Sequence, residues 1–258
     1  MRTSRLFIDT PLSAHTSVAL PREQAHYATR VLRLGEGDRV VAFNGQGGEF
    51  EATLTRVGKR EATLQLGDFL DVERESPLAV RLILGLSRGE RMDTAIQKAV
   101  ELGVTAIQPV ATEFSVAKLD GERMHKRLNH WRQIVVSACE QCGRNRLPEV
   151  APLVPLGTLW AHIPSASLHL VAAPDARASL TELPAPARDS ANQGVNILVG
   201  PEGGLSQSEL GNALQVGFVA VRMGPRVMRT ETAAMATLAA MQAIWGDWRS
   251  TPPANSGS

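Results

Sequence analysis

One stretch, residues 195–209 with the sequence VNILVGPEGGLSQSE, limits what this chain can fold into more than any other. The apolar run Ile197-Leu198-Val199 drops directly into Gly200-Pro201-Glu202-Gly203-Gly204, and Ser206 and Glu209 then stand three apart as a capping box at the start of a helix. That reads as strand, tight loop, helix. Glycines at 200, 203 and 204 let the backbone take up positive φ and come close to a bound group, since no Cβ intervenes. A plain strand-to-helix turn uses the same residue types for conformational reasons alone, so one such loop is not yet a site.

A second segment with the same grammar lies downstream. Residues 218–223, FVAVRM, run into Gly224-Pro225-Arg226 and then Val227-Met228-Arg229-Thr230-Glu231-Thr232. If the two strands are parallel neighbours, both loops emerge at the same sheet edge, where open α/β sheets bind their ligands. Neither loop continues into the Gly-Lys-Ser/Thr of a phosphate loop, and neither is a GxGxxG dinucleotide fingerprint.

At 258 residues the chain suits one large domain, or a small one and a medium one, and either can bury a core. The net charge of +1 gives no bulk electrostatic argument for a partner, so nucleic-acid binding would need a local basic face. No apolar stretch is long enough to span a bilayer, and the first ten residues, MRTSRLFIDT, lack the apolar core of a signal peptide. A cytosolic protein without membrane partners is expected. The two cysteines, Cys139 and Cys142, form a CxxC, but no His pair at i, i+4 completes a zinc site, and the pair lies late in a helical pattern rather than at a helix start. They read as two small helix residues, and no metal is expected.

Residues 1–75 carry strand signals. Segments 38–43, 50–57 and 61–66 alternate apolar and polar residues, separated by the turns Asn44-Gly45-Gln46-Gly47-Gly48 and Gly58-Lys59-Arg60. Residues 26–34 suggest a short helical piece, and the product is a small β-barrel. Residues 73–77, ERESP, read as a charged linker closed by proline. Strands then alternate with helices: strands at 80–84, 105–110, 168–172, 195–199 and 218–223, helices at 90–102, 122–142 and 231–245. That alternation implies an α/β domain with a mainly parallel sheet over residues 76–250. Residues 174–194 read as a surface loop with a short helix near 179–183, and residues 251–258 as a disordered tail, with 249 and 250 leading into it.

In the long helix, Met124, Leu128, Trp131, Val135, Ala138 and Cys142 recur at three- and four-residue steps and predict the buried stripe. Arg123, Lys126, Arg127, His130 and Gln133 lie elsewhere on it, with Gly143 as the C-cap and Arg144, Asn145 and Arg146 just beyond. Such a basic face is commonly just solvated, but RNA phosphates are its natural partner. The helix at 231–245 is apolar nearly all round and so needs covering on more than one side, for which a second subunit is one source. Arg5 reads either as a functional arginine or as a solvated terminal charge.

Five motifs occur in order: Met92-Asp93 with Glu101-Leu102-Gly103-Val104, Thr112-Glu113-Phe114-Ser115-Val116, Glu140-Gln141-Cys142-Gly143-Arg144, Gly200-Pro201-Glu202-Gly203-Gly204, and Arg229-Thr230-Glu231-Thr232-Ala233. Together they resemble the bacterial 16S ribosomal RNA uridine-N3 methyltransferases of the SPOUT superfamily, over nearly the whole chain. Two departures show: Phe114 stands where a basic residue is expected, and Met223 and Met228 where leucine is common.

The resemblance implies S-adenosylmethionine as methyl donor, bound at a C-terminal trefoil knot. It also implies a homodimer, ribosomal RNA of the small subunit as partner, and a PUA-like barrel that docks RNA. On that footing Leu198, Val199, Gly200, Gly204, Met223, Gly224, Val227 and Met228 form the cofactor cradle, largely through backbone. Glu231 is the first candidate for proton acceptor and Glu202 the second. Arg229 and Arg144 hold the base or its phosphate, Asn145 reads the uridine edge, and Arg5 reaches in from the barrel. Arg123, Lys126, Arg127 and Arg146 meet phosphates. Two other readings stay open: a methyltransferase with another target atom, such as a ribose 2′-hydroxyl or a different base nitrogen, and a non-catalytic RNA-binding assembly factor.

Overall fold

Apolar residues two apart in the first third of the chain build one sheet face, and those at three- and four-residue steps beyond it build helices on a second sheet. The structure, a computed structural model, describes residues 3–58, 61–115, 121–187 and 194–248. Lys59, Arg60, Val116 and the expected tail at 251–258 lie outside the described residues, as do residues 188–193 of the expected surface loop. The chain forms two units, Met1–Glu75 with Val136–Leu147, and Ser76–Val135 with Pro148–Ser258. Residues 136–147, which the sequence grouped with the α/β part, cluster with the first unit.

In the first unit, strands β1 (Ser4–Phe7) and β2 (Ser17–Ala19) and helix α1 (Arg22–His26) precede β3 (Arg39–Phe43), β4 (Glu49–Val57) and β5 (Ala62–Leu70). The five strands run in the order β1-β3-β4-β5-β2, antiparallel except for β1 beside β3. Alternation puts Val40, Ala42, Ala52, Leu54, Leu64 and Leu66 on one face, where they are buried with Leu6, Ile8, Ala25 and Ala28. β1 and β2 are too short for alternation to betray them in the sequence. The helical piece starts earlier than expected, directly after Pro21, and continues as a π-turn over Tyr27–Val31.

The same unit holds a buried ion network. Arg5 Nη1 donates to Glu49 Oε2 at 2.6 Å, and Arg74 Nη1 donates to that oxygen and to the Gly143 carbonyl, each at 3.0 Å. Arg5 Nη2 also donates to Asn145 Oδ1, while Asn145 Nδ2 donates to the Val72 carbonyl at 2.7 Å. Arg144 Nε donates to Glu75 Oε1 at 2.8 Å, and Arg146 Nε to Glu73 Oε2 at 2.7 Å. The charges of residues 73–75 are therefore ion-pair partners and not a solvated linker. Three of the residues expected to meet RNA take part in this network. Arg144 and Asn145 are buried, Asn145 completely, and so is the side chain of Arg5; the two arginines donate to Glu49 and Glu75, and Asn145 donates to the Val72 carbonyl, while Arg5 Nε has no partner among the described residues. A charge pattern in a sequence shows sign and spacing but not burial.

The second unit begins with β6 (Val80–Gly85), α2 (Glu90–Glu101) and β7 (Ala106–Ala111). Helix α3 (Gly121–Cys142) follows, its last residues belonging to the first unit. Then come β8 (Glu149–Val150), β9 (Val154–Pro155), α4 (Leu156–Leu159), β10 (Leu168–Ala172), β11 (Ala178–Ser179), β12 (Val195–Val199), α5 (Gln207–Gln215), β13 (Val219–Arg222) and α6 (Thr230–Ile244). The eight strands are all parallel, in the order β11-β13-β10-β12-β6-β7-β8, with β9 also on β7. This is the predicted α/β architecture. β12 is central, and all five of its residues are buried, as a strand covered on both faces requires.

Ile83, Val171 and Leu198 pack on one face with Leu156, Leu159, Ala213 and Phe218, while α6 packs on α2 and against β12. α6 buries one stripe, Ala234, Thr237, Leu238 and Met241, and leaves Met235, Ala236, Ala239 and Ala240 half-buried. On α3 the buried stripe is Leu128, Trp131, Val135, Ala138 and Cys139; Met124 and Cys142 are only half-buried. Burial pushes the Cys139 thiol up to about 12, so it packs as a small apolar residue. Gly143, at φ 91°, accepts the left-handed turn expected of a C-cap.

Glu49 generates the first expected outcome. Burial favours its neutral form, but the hydrogen bonds and charges of Arg74 and Arg5 outweigh burial and hold the carboxyl below its ordinary 4.5. A depressed folded-state value means that this stabilisation is present above pH 4.5 and is lost as pH falls through the folded value. Glu49→Gln should cost about 3 kcal/mol at pH 7, because it leaves the buried Arg5 guanidinium without its carboxylate. The gap to the native protein should narrow progressively in thermal melts taken below pH 4.5.

Candidate functional site

The condition that β12 and β13 be neighbours is not met: β10 lies between them and pairs with both in parallel. The crossover skips one strand, an outcome that sequence grammar does not specify. Because all three strands are parallel, their following loops still emerge at one edge, and the strand between adds a third. A cleft of about 620 Å³ opens there, a volume in the range of small-molecule sites. Its walls are the end of β10 with residues 173–176, the end of β12 with residues 200–207, and β13 with Met223, Gly224 and residues 226–228 beyond it. Leu210 and Leu214 of α5 and Thr230 and Ala233 of α6 complete it. Pro174, Asp175 and Ala176 were read as surface loop only; the apolar strand running into Pro174 was the signal of a third wall.

The glycines of the loop serve different ends. Gly204 has φ 74°, and a Cβ built there would meet nothing within 4 Å, so bare backbone faces the open cleft. On the opposite side of the loop, a Cβ on Gly85 at the end of β6 would lie 2.5 Å from Pro201, so Gly85 is what allows the loop to sit down on the sheet. The loop ends in the predicted capping box. Ser206 Oγ accepts from the Glu209 N–H at 3.2 Å, and Glu209 Oε2 accepts from the Ser206 N–H at 2.9 Å. Glu209 Oε1 accepts in addition from the Glu113 N–H at 2.8 Å, which fastens the loop after β7 to the start of α5.

Glu202 lines the cleft. Its Oε1 accepts from the Arg88 N–H at 3.2 Å and from Arg91 Nη1 at 3.1 Å. Burial raises the carboxyl, but the backbone N–H groups of Glu202 and Arg88 and the Arg91 guanidinium outweigh it, leaving the group below the usual carboxylate range. It is ionised at neutral pH. Glu202 Oε2 is shut off from solvent and accepts no hydrogen bond among the described residues. Arg88 and Arg91 lie more than a hundred residues before Glu202, so no local pattern marks them as its partners.

Of the predicted cradle, Val199, Gly200, Gly204, Met223, Gly224, Val227 and Met228 line the cleft; Leu198 does not, being fully buried in the core beneath it. Glu231 and Arg229 are not among the lining residues. Glu231 stands in the first turn of α6 with Oε2 buried and unbonded among the described residues, and Arg229 is exposed at the N-cap. On α3, Arg123 and Lys126 are exposed and Arg127 is half-buried. Lys126 pairs with Glu122 at 2.8 Å and His130 Nε2 with Asp93 Oδ2 at 2.8 Å. Arg146, Arg144, Asn145 and Arg5 belong to the other unit. Among the described residues no cluster of three or more His, Cys, Asp or Glu could hold a metal ion, and no helix is long and apolar enough to cross a membrane.

Comparison with known proteins adds an independent line. A family model described as an RNA methyltransferase domain matches residues 74–242, and one described as an RNA methyltransferase PUA domain matches residues 20–67. The ribosomal RNA small subunit methyltransferase E of Buchnera aphidicola subsp. Schizaphis graminum is 32% identical over 246 residues, which cover 95% of this chain and 98% of that protein. The crystal structure of the protein of that name from Neisseria gonorrhoeae, bound to S-adenosyl methionine, superposes with TM-score 0.88 at 37% identity, covering 96% of this chain and 100% of the other. A Legionella pneumophila methyltransferase, in complex with the bound cofactor SAM, superposes with TM-score 0.90 at 36% identity and the same coverage.

The double use of Glu209 is open to direct test. Glu209→Ala removes the carboxylate half of the capping box and frees the Glu113 and Ser206 amides, and should cost about 1 kcal/mol of stability. Hydrogen exchange should show faster exchange at both amides. Unchanged protection at Glu113 would mean that the loop after β7 is held by something else.

Proposed function

The chain belongs to the ribosomal RNA small subunit methyltransferase E family, and from that premise we propose that it methylates N3 of a uridine in 16S ribosomal RNA with S-adenosylmethionine as donor. The observation that carries this reading is the cleft at the ends of three parallel strands, walled by loop backbone and bearing at Gly204 a stretch of main chain with nothing above it. The residues present fit such a cofactor. Val199, Met223, Val227 and Met228 offer apolar surface to a flat base, and Gly200, Gly204 and Gly224 offer backbone groups at close range. Leu198 supports that wall from the core. When bound, S-adenosylmethionine supplies an electrophilic methyl group on a sulfonium.

The protein's share of the chemistry is position and proton removal. Uridine N3 bears a proton and lies on the pairing edge, so the base must leave its stack and present that edge in the cleft. We put Glu202 ahead of Glu231 as acceptor, because Glu202 lines the cleft and is held ionised, whereas Glu231 is not among the lining residues. The N3 proton passes to the Glu202 carboxylate, and the N3 lone pair is left for the methyl group. Glu231 is the second candidate. Shielding from water and fixed orientation supply the remaining acceleration.

Arg123, Lys126, Arg127, Arg229 and Arg146 are the proposed phosphate contacts, with salt-dependent affinity as the consequence. Arg5, Arg144 and Asn145 are proposed to brace the PUA-like unit that docks RNA, over roughly residues 1–75, and not to touch RNA themselves. A homodimer fits the half-buried apolar sides of α6 and the 84% exposure of Val227. A trefoil knot in the C-terminal part and a cytoplasmic site of action go with the same reading.

Calorimetric titration of the purified chain with S-adenosylmethionine should show saturable binding. Gly204→Val, which strains φ and fills the cleft, should abolish it while circular dichroism stays native. Glu202→Gln should retain binding and lose on the order of a hundredfold or more in turnover. No binding by the native chain would sink the methyltransferase reading, and full turnover by Glu202→Gln would move the proton to another acceptor.

A further inference from the structure

We propose that Phe114 is the platform on which the extruded target base stacks; the inference rests on the reading of the cleft as an RNA base methylation site. A base taken out of its helix loses its stacking neighbours, and proteins replace them with an aromatic face. Aromatic residues are scarce in this chain: six Phe, four Trp and one Tyr. Among the described phenylalanines, Phe69 and Phe114 are the exposed ones, and Phe69 packs its ring against Phe50 at 5.2 Å. Phe114 is 45% exposed and stands in the loop after β7, at the sheet edge where the cleft opens.

Its position is built and not incidental. A Cβ on Gly203 would lie 2.8 Å from the Phe114 Cβ, 3.4 Å from Cγ and 3.7 Å from Cδ2, so Phe114 lies across the bare face of a cleft-lining glycine next to Glu202. The loop that carries it is fixed at three points. The Thr112 N–H donates to Ser115 Oγ at 3.0 Å, the Ser115 N–H to the Thr112 carbonyl at 3.0 Å, and the Glu113 N–H to Glu209 Oε1 at 2.8 Å. A half-exposed ring on a loop held this firmly, laid against Gly203 beside the cleft, gains little from burial. It offers a flat face to a flat partner. Stacking engages the base through its π-face and leaves the in-plane N3 edge free, which is the edge the reaction needs. The sequence resemblance placed a basic residue at this position, so the aromatic face distinguishes this chain: stacking takes the place of a point charge.

The test uses the full chain, small ribosomal subunits lacking the modification, and S-adenosylmethionine, with Phe114→Ala, Phe114→Leu, Phe114→Tyr and Phe114→Trp. Phe114→Ala and Phe114→Leu should each lower kcat/KM for the RNA roughly ten- to hundredfold, with S-adenosylmethionine affinity and thermal midpoint unchanged. Phe114→Tyr and Phe114→Trp should restore it. Rescue by Phe114→Leu as complete as by Phe114→Trp would reduce the residue to packing and overturn the proposal, as would native kcat/KM in Phe114→Ala. If the native chain binds no S-adenosylmethionine and methylates no RNA, the functional reading falls and takes this inference with it; an active native chain with an indifferent Phe114→Ala defeats the inference alone.

Discussion

The Glu209 carboxylate holds together most of what stands at the mouth of the cleft. One oxygen closes the capping box on the Ser206 N–H and so ends the glycine loop, while the other takes the Glu113 N–H and so anchors the turn that carries Phe114. Two orphan amides are satisfied by one side chain, in the first turn of a helix whose dipole favours a negative charge. Because the parallel sheet delivers all the loops to one edge, this local bond acts on the whole site. The loop after β12 is pinned from below as well, by Pro201 seated on Gly85. Backbone thus does the holding, and the side chains left facing the cleft are few.

Two carboxylates of the chain show how environment assigns a role. Glu49 is surrounded by Arg5 and Arg74, both of which hydrogen-bond it, so its charge is spent on joining β1, β4 and the segment after α3 within the first unit. Glu202 is also held ionised, but by backbone N–H groups with the Arg91 and Ser87 side chains, at the wall of the cleft. The first arrangement is saturated and structural. The second stands at the wall of the cleft, and there we propose that it receives a proton.

Much of this was legible in the residues themselves. The run Ile197-Leu198-Val199 with Ser206 and Glu209 marked strand, loop and capped helix correctly, because capping and burial act over a few residues. The insertion of β10 between β12 and β13 was not legible, since strand order is decided by packing across the whole sheet. Arg144 and Asn145 looked like ligands for RNA because they are polar residues beyond a helix end; their burial follows from Glu75, Arg5 and Val72, which the chain brings to them from about seventy residues or more away. Arg91 escaped notice for the same reason: only the fold sets it beside Glu202.

The position of the transferred methyl group tests the central claim most directly. Small ribosomal subunits lacking the modification would be incubated with the chain and S-adenosylmethionine carrying a labelled methyl, and the 16S RNA digested to nucleosides and separated. Label in 3-methyluridine, with none elsewhere, is the expected result. Label on a ribose 2′-oxygen or on another base would contradict the assignment of Glu202 to an N3 proton, and no label at all would contradict the methyltransferase reading of the cleft.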